Sequence, residues 1–211
     1  MSRILKMKTE TKILLAAREL FFKYGMKRIT MDDIARHLAV SKKTIYQFYE
    51  DKTKIVDSLC NLSMQENECK FTELSETSKD PIHEMLEAAK HMTNVFSKIN
   101  PVFFYDLQKF YPNAWKRFNE FKNGMVLNVL QKNLEEGIEK GYYRKDINVA
   151  LMARYRMIQV DLILTPDVFL DSENSMAKIN EVLLDHFMHG ITTIKGHKLI
   201  NKYKQIQEDE D

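Results

Sequence analysis

Residues 28–52, RITMDDIARHLAVSKKTIYQFYEDK, constrain the fold of this chain more than any other stretch. Thr30 precedes Asp32 and Asp33, and this pattern is typical of a helix start, where a hydroxyl caps free N–H groups and acidic residues oppose the helix dipole. Apolar residues follow at the spacing of one helical face, namely Met31, Ile34, Ala35 and Leu38. Ala39-Val40 predicts a turn, and Ser41 predicts the N-cap of a second helix. The stretch therefore predicts two short helices joined by a tight turn.

The second of these helices has two different faces. The 3.6-residue period places Ile45 and Tyr49 on the inward face, against Leu38 and Val40. The outward face carries two cations, a phenol and an amide: Lys42, Lys43, Tyr46 and Gln47. Such a face is typical of the recognition helix of a helix-turn-helix, which contacts base edges and phosphates. By itself, a short helix with lysines would favour an ordinary helical hairpin with a solvated lysine face.

The surrounding sequence separates these two interpretations. TKILLAARELFFKYG, followed by ITMDDIARHLAVSKKTIYQFYEDKTKIV, closely resembles the N-terminal domain of TetR-family transcriptional regulators, over residues about 9–56. The matching positions are Ala16-Ala17, Leu20-Phe21, Gly25, Ile29-Thr30, Ile34-Ala35, Val40-Ser41, Thr44-Ile45-Tyr46, Tyr49 and Lys52. Two positions depart from the family pattern: Ala39 stands where a turn glycine is frequent, and Phe48-Tyr49 stands where His-Phe is frequent. These departures concern base preference more than DNA binding.

The resemblance implies an all-α fold with two domains. Residues 1–54 would form a three-helix helix-turn-helix DNA-binding domain, and residues 55–211 a C-terminal helical bundle for effector binding and dimerisation. It implies a ligand-responsive repressor that acts as a homodimer on a palindromic operator. The expected DNA-binding residues are Thr30, Ser41, Lys42, Lys43, Thr44, Tyr46, Gln47, Tyr49 and Lys52.

Composition agrees with this prediction. Residues 1–54 hold 13 basic and 6 acidic residues, whereas the other 157 residues hold 19 basic and 24 acidic residues. A basic module on an acidic body is typical of nucleic-acid binding. Six glycines and four prolines favour an all-helical chain. No apolar run approaches the length of a membrane span and no signal peptide is recognised, so a bacterial cytoplasmic protein, associated with the nucleoid when bound to DNA, is expected. Cys60 and Cys69 do not predict a disulfide framework.

The helices can be placed in outline from caps and periodicity. Arg3, Lys6 and Lys8 form a short basic arm before a first helix, which runs from about Thr9 or Thr11 to Tyr24 and ends at Gly25. Its predicted buried stripe is Ile13, Leu14, Ala17, Leu20, Phe21 and Tyr24. Further helices are expected over about 52–78, 81–99, 101–110, 112–141, 147–164 (capped by Asp146) and 175–195, with a connection at 165–174 and a polar tail from 202.

Aromatic residues and methionines are dense in the second part of the chain. Such side chains form either an ordinary aromatic core or the apolar wall of an effector cavity, to which methionine adds adaptability. A hydrophobic or amphipathic small molecule is the expected effector. The candidate ligand-binding residues are Phe103, Phe104, Tyr105, Phe110, Trp115, Phe118, Phe121, Met125, Met152 and Tyr155.

The last two predicted helices are strongly apolar. In the resembling family, the equivalent helices pack against their two-fold mates as a four-helix bundle, although such helices could also be internal core. A dimer also fits the physics of recognition, because one three-helix unit buries too little surface for tight specificity. The candidate interface residues are Ile158, Leu162, Ile179, Val182, Leu183, His186, Phe187 and Ile191.

An enzyme is the less favoured class. His186 and His189, with Asp185, have a spacing that a helical metal site could use, but no third ligand is marked. No nucleophile elbow, phosphate loop or dinucleotide fingerprint occurs, so neither catalysis nor a cofactor is expected. A rival is a helical ligand-binding or scaffold protein with a vestigial DNA module, but the lysines of the basic face are all present. A TetR-like activator without a small-molecule effector stays open.

Overall fold

The computed structural model describes residues 3–165 and 175–205, with side chains from Thr9 onward. These residues form helices and connections without a β-strand, apart from one isolated antiparallel bridge between Tyr143 and Thr192. The predicted all-α fold is thereby confirmed. The helices are α1 (Arg3–Tyr24), α2 (Met31–His37), α3 (Lys42–Tyr46), α4 (Lys52–Thr77), α5 (Pro81–Phe96), α6 (Val102–Phe110), α7 (Pro112–Phe121), a π-helical turn (Lys122–Val126), α8 (Leu127–Glu139), α9 (Val149–Leu164), α10 (Met176–Ile191) and α11 (Ile194–Lys204).

The chain divides into two compact units. Unit 1 comprises Met1–Glu66 and Lys98–Asn119, and unit 2 comprises Asn67–Ser97 and Glu120–Asp211. The predicted functional boundary between residues 54 and 55 is a different division and stays a prediction. Among the residues placed here, no helix is both long and apolar enough to cross a membrane.

The core of unit 1 is built on the apolar stripe of α1. Ile13, Ala17 and Phe21 are buried, as the periodicity predicts, but Tyr24 is exposed because the stripe ends one turn earlier. Other parts of unit 1 supply further core residues, among them Met26, Ile34, Ile45, Ile55, Val56, Leu59, Phe103 and Leu107. Gly25 ends α1 with φ +80°, the left-handed conformation expected of a C-terminal cap.

Helix α1 begins earlier than the sequence predicts. Its backbone is helical from Arg3, so the stretch expected to form a separate basic arm is the first turns of the helix. The residues before Thr9 carry few helix breakers, and the caps that would start a helix at Thr9 or Thr11 are therefore not needed.

The core of unit 2 joins α5, α8, α9, α10 and α11. Its buried apolar residues are Ile82, Met85, Leu127, Leu130, Leu134, Tyr143, Ala153, Met157, Leu184, Phe187, Met188, Ile191 and Ile200. Tyr143 is enclosed, and the single proton of its hydroxyl is shared between two acceptors, the Asn133 side-chain oxygen (3.0 Å) and the Pro81 carbonyl (3.2 Å). These hydrogen bonds satisfy a phenol that burial would otherwise penalise.

Three predicted helix boundaries in unit 2 are wrong. Asn148, not Asp146, caps α9, since its side-chain oxygen accepts from the Leu151 backbone N–H at 3.0 Å. The helix expected over 175–195 ends at Ile191, because the next residues bond across to the Tyr142–Arg144 backbone before Thr193 caps α11. The long helix expected over 112–141 ends at Glu139 and contains a π-helical turn. The expected connection (residues 166–174) and the end of the polar tail (206–211) lie outside the described residues.

Candidate DNA-binding surface

Helix α2 begins with a reciprocal capping box. The Thr30 hydroxyl accepts from the Asp33 backbone N–H at 3.2 Å, and the Asp33 carboxylate accepts from the Thr30 backbone N–H at 2.9 Å. Hydrogen bonds from the Thr30 hydroxyl and backbone hold the pKa of Asp33 below its usual value. Thr30, although exposed, is therefore occupied in starting the helix. Its predicted contact with DNA stays a prediction.

The turn between α2 and α3 depends on a left-handed residue. Ala39 has φ +53°, and its neighbour Val40 donates its backbone N–H to the Ala35 carbonyl at 3.0 Å. An L-residue is strained in this conformation and glycine is not. This is the position at which the resembling family frequently has glycine. Val40 is more exposed than its predicted inward position implies.

Helix α3 presents its polar face to solvent. Ser41 caps it by accepting from the Thr44 backbone N–H at 3.1 Å, and the two hydroxyls lie 2.8 Å apart. Ile45 is fully buried, as predicted, and this fixes the rotation of the helix. The outward residues are exposed, namely Lys42, Lys43, Tyr46 (45% exposed) and Gln47, with Thr44 partly buried.

The two lysines of α3 are in different electrostatic surroundings. The Lys42 ammonium lies 2.9 Å from the Asp32 carboxylate of α2, and this hydrogen bond raises the pKa of Lys42. Lys43, in contrast, has no ion pair with any residue that the structure describes. Asp32 was not predicted to belong to the site; its position ten residues before Lys42 could have revealed the pair only once the turn geometry was known.

Two predicted DNA-binding residues, Tyr49 and Lys52, make contacts within the folded chain. Tyr49 is only 4% exposed, so its ring does not reach the outward face of α3, and this burial raises the pKa of its phenol to about 12. The predicted inward position of Tyr49 is confirmed. Its inclusion among the DNA-binding residues is corrected, because the ring is buried. Lys52 donates to the carbonyl oxygens of Ile29 (2.8 Å) and Met26 (3.0 Å). Burial lowers the pKa of Lys52.

Asp106 supports the same connection from α6. This buried carboxylate accepts from the Lys27 backbone N–H at 2.7 Å, and its charge favours the cationic form of Lys52. Lys52 and Asp106 thus hold the backbone between α1 and α2, residues 25–30, from two sides. The sequence carried no signal for Asp106, because its partner is a distant backbone N–H.

The predicted ligand-binding residues are divided between the two units. In unit 1, Phe103, Phe104, Phe118 and Trp115 form a chain of ring contacts with centroids 5.2–6.1 Å apart, whereas Tyr105 and Phe110 are exposed. In unit 2, Phe121, Met125 and Met152 are partly buried and Tyr155 is exposed. The ring cluster has the contacts of a packed aromatic core. A ligand contact for these residues stays a prediction.

The predicted interface residues are of two kinds. Ile158 (56% exposed), Leu162, Val182 (53% exposed) and His186 are exposed, and Leu183 is half-buried. Ile179, Phe187 and Ile191 are buried in unit 2 itself and are therefore core residues of the single chain. Helical periodicity predicts which residues form the apolar faces of α9 and α10, but it does not predict whether each face is buried in the chain or exposed to solvent. Leu151 and Tyr155 are exposed on the same face of α9 as Ile158; Leu151 was not predicted as an interface residue, and Tyr155 was a candidate ligand-binding residue.

The two histidines whose spacing a helical metal site could use, His186 and His189, do not contact each other in the structure. His189 contacts His197 of α11, with Nδ1 and Nε2 2.6 Å apart, while His186 is exposed. No group of three or more potential metal ligands occurs among the described residues. A shallow depression of about 370 Å³ beside His197 is lined by Thr192, Thr193, Ile194, Lys198 and Asn201, none of which was a candidate ligand residue.

Comparison with known proteins agrees with this geometry. Residues 13–59 match the family described as bacterial regulatory proteins, tetR family. The uncharacterized HTH-type transcriptional regulator YhgD of Bacillus subtilis is 28% identical over 132 residues, 61% of this chain and 69% of that protein.

Solved structures share the fold over most of the chain. A TetR-family regulator from Agrobacterium tumefaciens superposes with a TM-score of 0.74 at 16% identity, covering 89% of this chain and 99% of that one. The regulator FadR of Bacillus subtilis, solved in complex with stearoyl-CoA, has a TM-score of 0.65 at 23% identity, covering 86% and 98%. The family consists of DNA-binding transcription regulators rather than enzymes. Residues 13–59 thus match the TetR family of regulators, and the fold of the chain is that of solved TetR-family proteins.

Proposed function

We propose that this regulator is a ligand-responsive repressor, which binds a palindromic operator as a homodimer in the bacterial cytoplasm. The observation that carries the proposal is the outward face of α3. It presents Lys43, Tyr46 and Gln47 to solvent while Ile45 anchors the helix in the core.

The residues of this face have different roles in the proposal. Gln47 can form paired hydrogen bonds with a base edge, and Lys43 can donate to guanine acceptors. Tyr46, Ser41 and Thr44 supply hydroxyls for phosphates. Lys42 reaches a phosphate when DNA competes with Asp32 for its ammonium.

The dimer is supported by an exposed apolar stripe on α9. Leu151, Tyr155, Ile158 and Leu162 alternate at spacings of four and three residues, as one helical face requires, and all are exposed. Val182 adds to the apolar surface on α10. Large exposed apolar patches are uncommon on monomers and mark interaction sites. A second copy of the same stripe would cover it with matching chemistry, and a two-fold dimer would read two half-sites.

The effector is proposed to be a mainly apolar small molecule. FadR of Bacillus subtilis, a structural relative, was solved with stearoyl-CoA. Such a ligand acts by binding one arrangement of the dimer more tightly than the other, because only differential affinity shifts a conformational equilibrium. Release from the operator when the effector binds is the response of a repressor.

Selection of bound duplexes from a random DNA pool, repeated across a salt series, tests this proposal. A recovered palindrome with half-sites about one helical turn apart is expected. Recovery of no motif, with only salt-sensitive bulk binding, would instead support a vestigial DNA module.

Alanine variants then test the division of roles. Lys43→Ala and Gln47→Ala should weaken the selected operator more than bulk DNA, whereas the control Lys90→Ala, an exposed lysine in α5, should change neither. Lys52→Ala removes the hydrogen bonds to the Met26 and Ile29 carbonyls, so it should loosen the start of α2, weaken both DNAs alike and leave the salt slope unchanged. Equal losses for Lys43→Ala, Gln47→Ala and Lys52→Ala would contradict the proposed roles.

A further inference from the structure

Arg156 is a cation enclosed within unit 2. Its side chain is 7% exposed, on the face of α9 that packs on α10. One terminal nitrogen donates to the Gln159 side-chain oxygen at 3.1 Å, and the other donates to the Asn180 side-chain oxygen at 2.8 Å. The Asn180 side-chain nitrogen in turn donates to the Thr93 hydroxyl at 3.2 Å. A polar chain therefore connects α9, α10 and α5 inside unit 2.

The charge of Arg156 is not balanced by this polar chain. Both acceptors are neutral amides, and in the part of the chain that the structure describes no carboxylate pairs with Arg156. The other guanidinium groups with buried surface differ: Arg18 pairs with Glu66 and Arg117 with Asp57. Burial lowers the pKa of Arg156 to about 10, and no neighbouring charge opposes this effect. A buried charge without a counter-ion is strongly unfavourable, and dipoles of amides compensate it only in part.

We propose that Arg156, with Gln159, Asn180 and Thr93, binds the carboxylate of an amphipathic small molecule. This inference rests on the proposed ligand response and names the chemical class of the effector. One guanidinium matches one monoanion, and its planar fork binds a carboxylate through two parallel hydrogen bonds. Met157, which follows Arg156 on α9, and Leu184, one turn after Asn180 on α10, are buried and apolar, which suits a hydrocarbon tail.

The side-chain oxygens of Gln159 and Asn180 accept the hydrogen bonds from Arg156 that a ligand carboxylate would accept in their place. A carboxylate replaces a neutral acceptor by a charged one and releases Asn180 from Arg156. Because Asn180 and Arg156 lie on α10 and α9, this exchange removes a direct hydrogen bond between the two helices that carry the exposed apolar surface. Ligand binding and dimer arrangement are thereby coupled through a change in contacts, as allostery requires.

Direct binding measurements test this inference. Decanoate, laurate and palmitate, each with the corresponding primary alcohol, are titrated into the full-length protein by isothermal calorimetry. A charge-assisted hydrogen-bond pair should give the acid about 10- to 100-fold tighter binding than its alcohol. Arg156→Met should remove this preference and leave the alcohol affinity unchanged. The matched control Arg154→Met, an exposed arginine on the same helix, should retain it.

A stability measurement separates a ligand site from a purely structural role. If Arg156 serves the ligand, the ligand-free Arg156→Met protein should unfold at the same urea concentration as wild type or at a higher one, since an apolar side chain replaces an unbalanced charge. Arg156→Lys keeps the positive charge but loses the planar guanidinium, so it should retain a reduced preference for the acid over the alcohol. This variant is the test if Arg156→Met does not fold.

Three outcomes overturn the inference. They are equal affinity of wild type for acid and alcohol, binding of neither, and a preference that survives Arg156→Met. Operator binding is measured on the same preparations. An intact operator complex together with any of these outcomes rejects only the carboxylate site, whereas failure to select an operator rejects the proposed regulator function.

Discussion

Replacing Ala39 by glycine should stabilise unit 1. Ala39 is exposed with φ +53°, so the change removes strain without removing core packing. The left-handed conformation costs an L-residue about 1–2 kcal/mol, and the greater freedom of glycine in the unfolded chain returns about 0.5–1 kcal/mol. The expected net gain in the free energy of unfolding is therefore about 0.5–1 kcal/mol.

The single tryptophan makes this effect measurable for unit 1. Trp115 lies in that unit and stacks on Phe118 with ring centroids 5.5 Å apart, so its fluorescence reports local unfolding. With a urea dependence of about 2 kcal/mol per molar, the midpoint should rise by about 0.25–0.5 M. Fluorescence-monitored urea titration of Ala39→Gly beside wild type is the assay.

A matched glycine substitution separates strain relief from a general effect of glycine. Glu50→Gly is also exposed and outside the helices, but Glu50 has no left-handed backbone. It should lower the unfolding free energy by about 0.5–1 kcal/mol. If Ala39→Gly lowers the midpoint as Glu50→Gly does, the turn is not strained and the reasoning from its dihedral angle is refuted.

Three further changes test other parts of the structure. Asp32→Asn frees the Lys42 ammonium and should tighten DNA binding about two- to fivefold, as measured by fluorescence anisotropy at fixed salt. Gly137→Ala places a Cβ 2.0 Å from the enclosed ring of Tyr143 and should lower the unfolding free energy by about 3 kcal/mol, as measured by circular dichroism in urea. Ile158→Glu puts an unpaired charge in the proposed dimer interface and should raise the dimer dissociation constant about 100-fold or more, as measured by sedimentation.

Each of these three changes has a matched control. Glu87→Gln removes an acidic charge from α5 and should leave DNA affinity unchanged. Gly124→Ala meets nothing within 4 Å and should not destabilise the protein. Arg154→Glu introduces the same carboxylate on α9 beside the apolar stripe and should affect dimerisation less than Ile158→Glu. A variant that behaves like its control contradicts the contact assigned to it.

Local chemistry explains which features were predictable. Thr30 and Ser41 cap α2 and α3 as expected, because a cap depends only on a hydroxyl and the next three residues. Ile45 is buried for a comparable reason: the helical period defines its face, and the turn defines where that face points. The DNA-binding surface is therefore largely predictable from about two dozen consecutive residues, because helix caps and helical periodicity depend only on residues close together in the sequence.

Residues whose partners are distant in the chain were not predictable in this way. The periodicity of α10 marks Phe187 and Val182 as apolar alike, yet Phe187 packs in the core of unit 2 and Val182 is exposed. Lys52 looks like a phosphate contact in sequence, but the carbonyls of Met26 and Ile29 take its hydrogen bonds. The cap of α9 is Asn148 and not Asp146. Both residue types cap helices, so the sequence alone does not distinguish them, whereas the path of the folded backbone does.

By itself, the sequence determined the all-helical class, the helix-turn-helix and its outward residues, because these depend on periods, caps and charges within a few turns. Only the tertiary structure decided that Tyr49 is internal, that Asp32 pairs with Lys42 and that Arg156 is enclosed with no carboxylate partner among the described residues. Burial and charge balance are properties of neighbours brought together from separate helices. A one-dimensional pattern specifies which face of a helix is apolar or charged, whereas the packing of the folded chain specifies what that face meets.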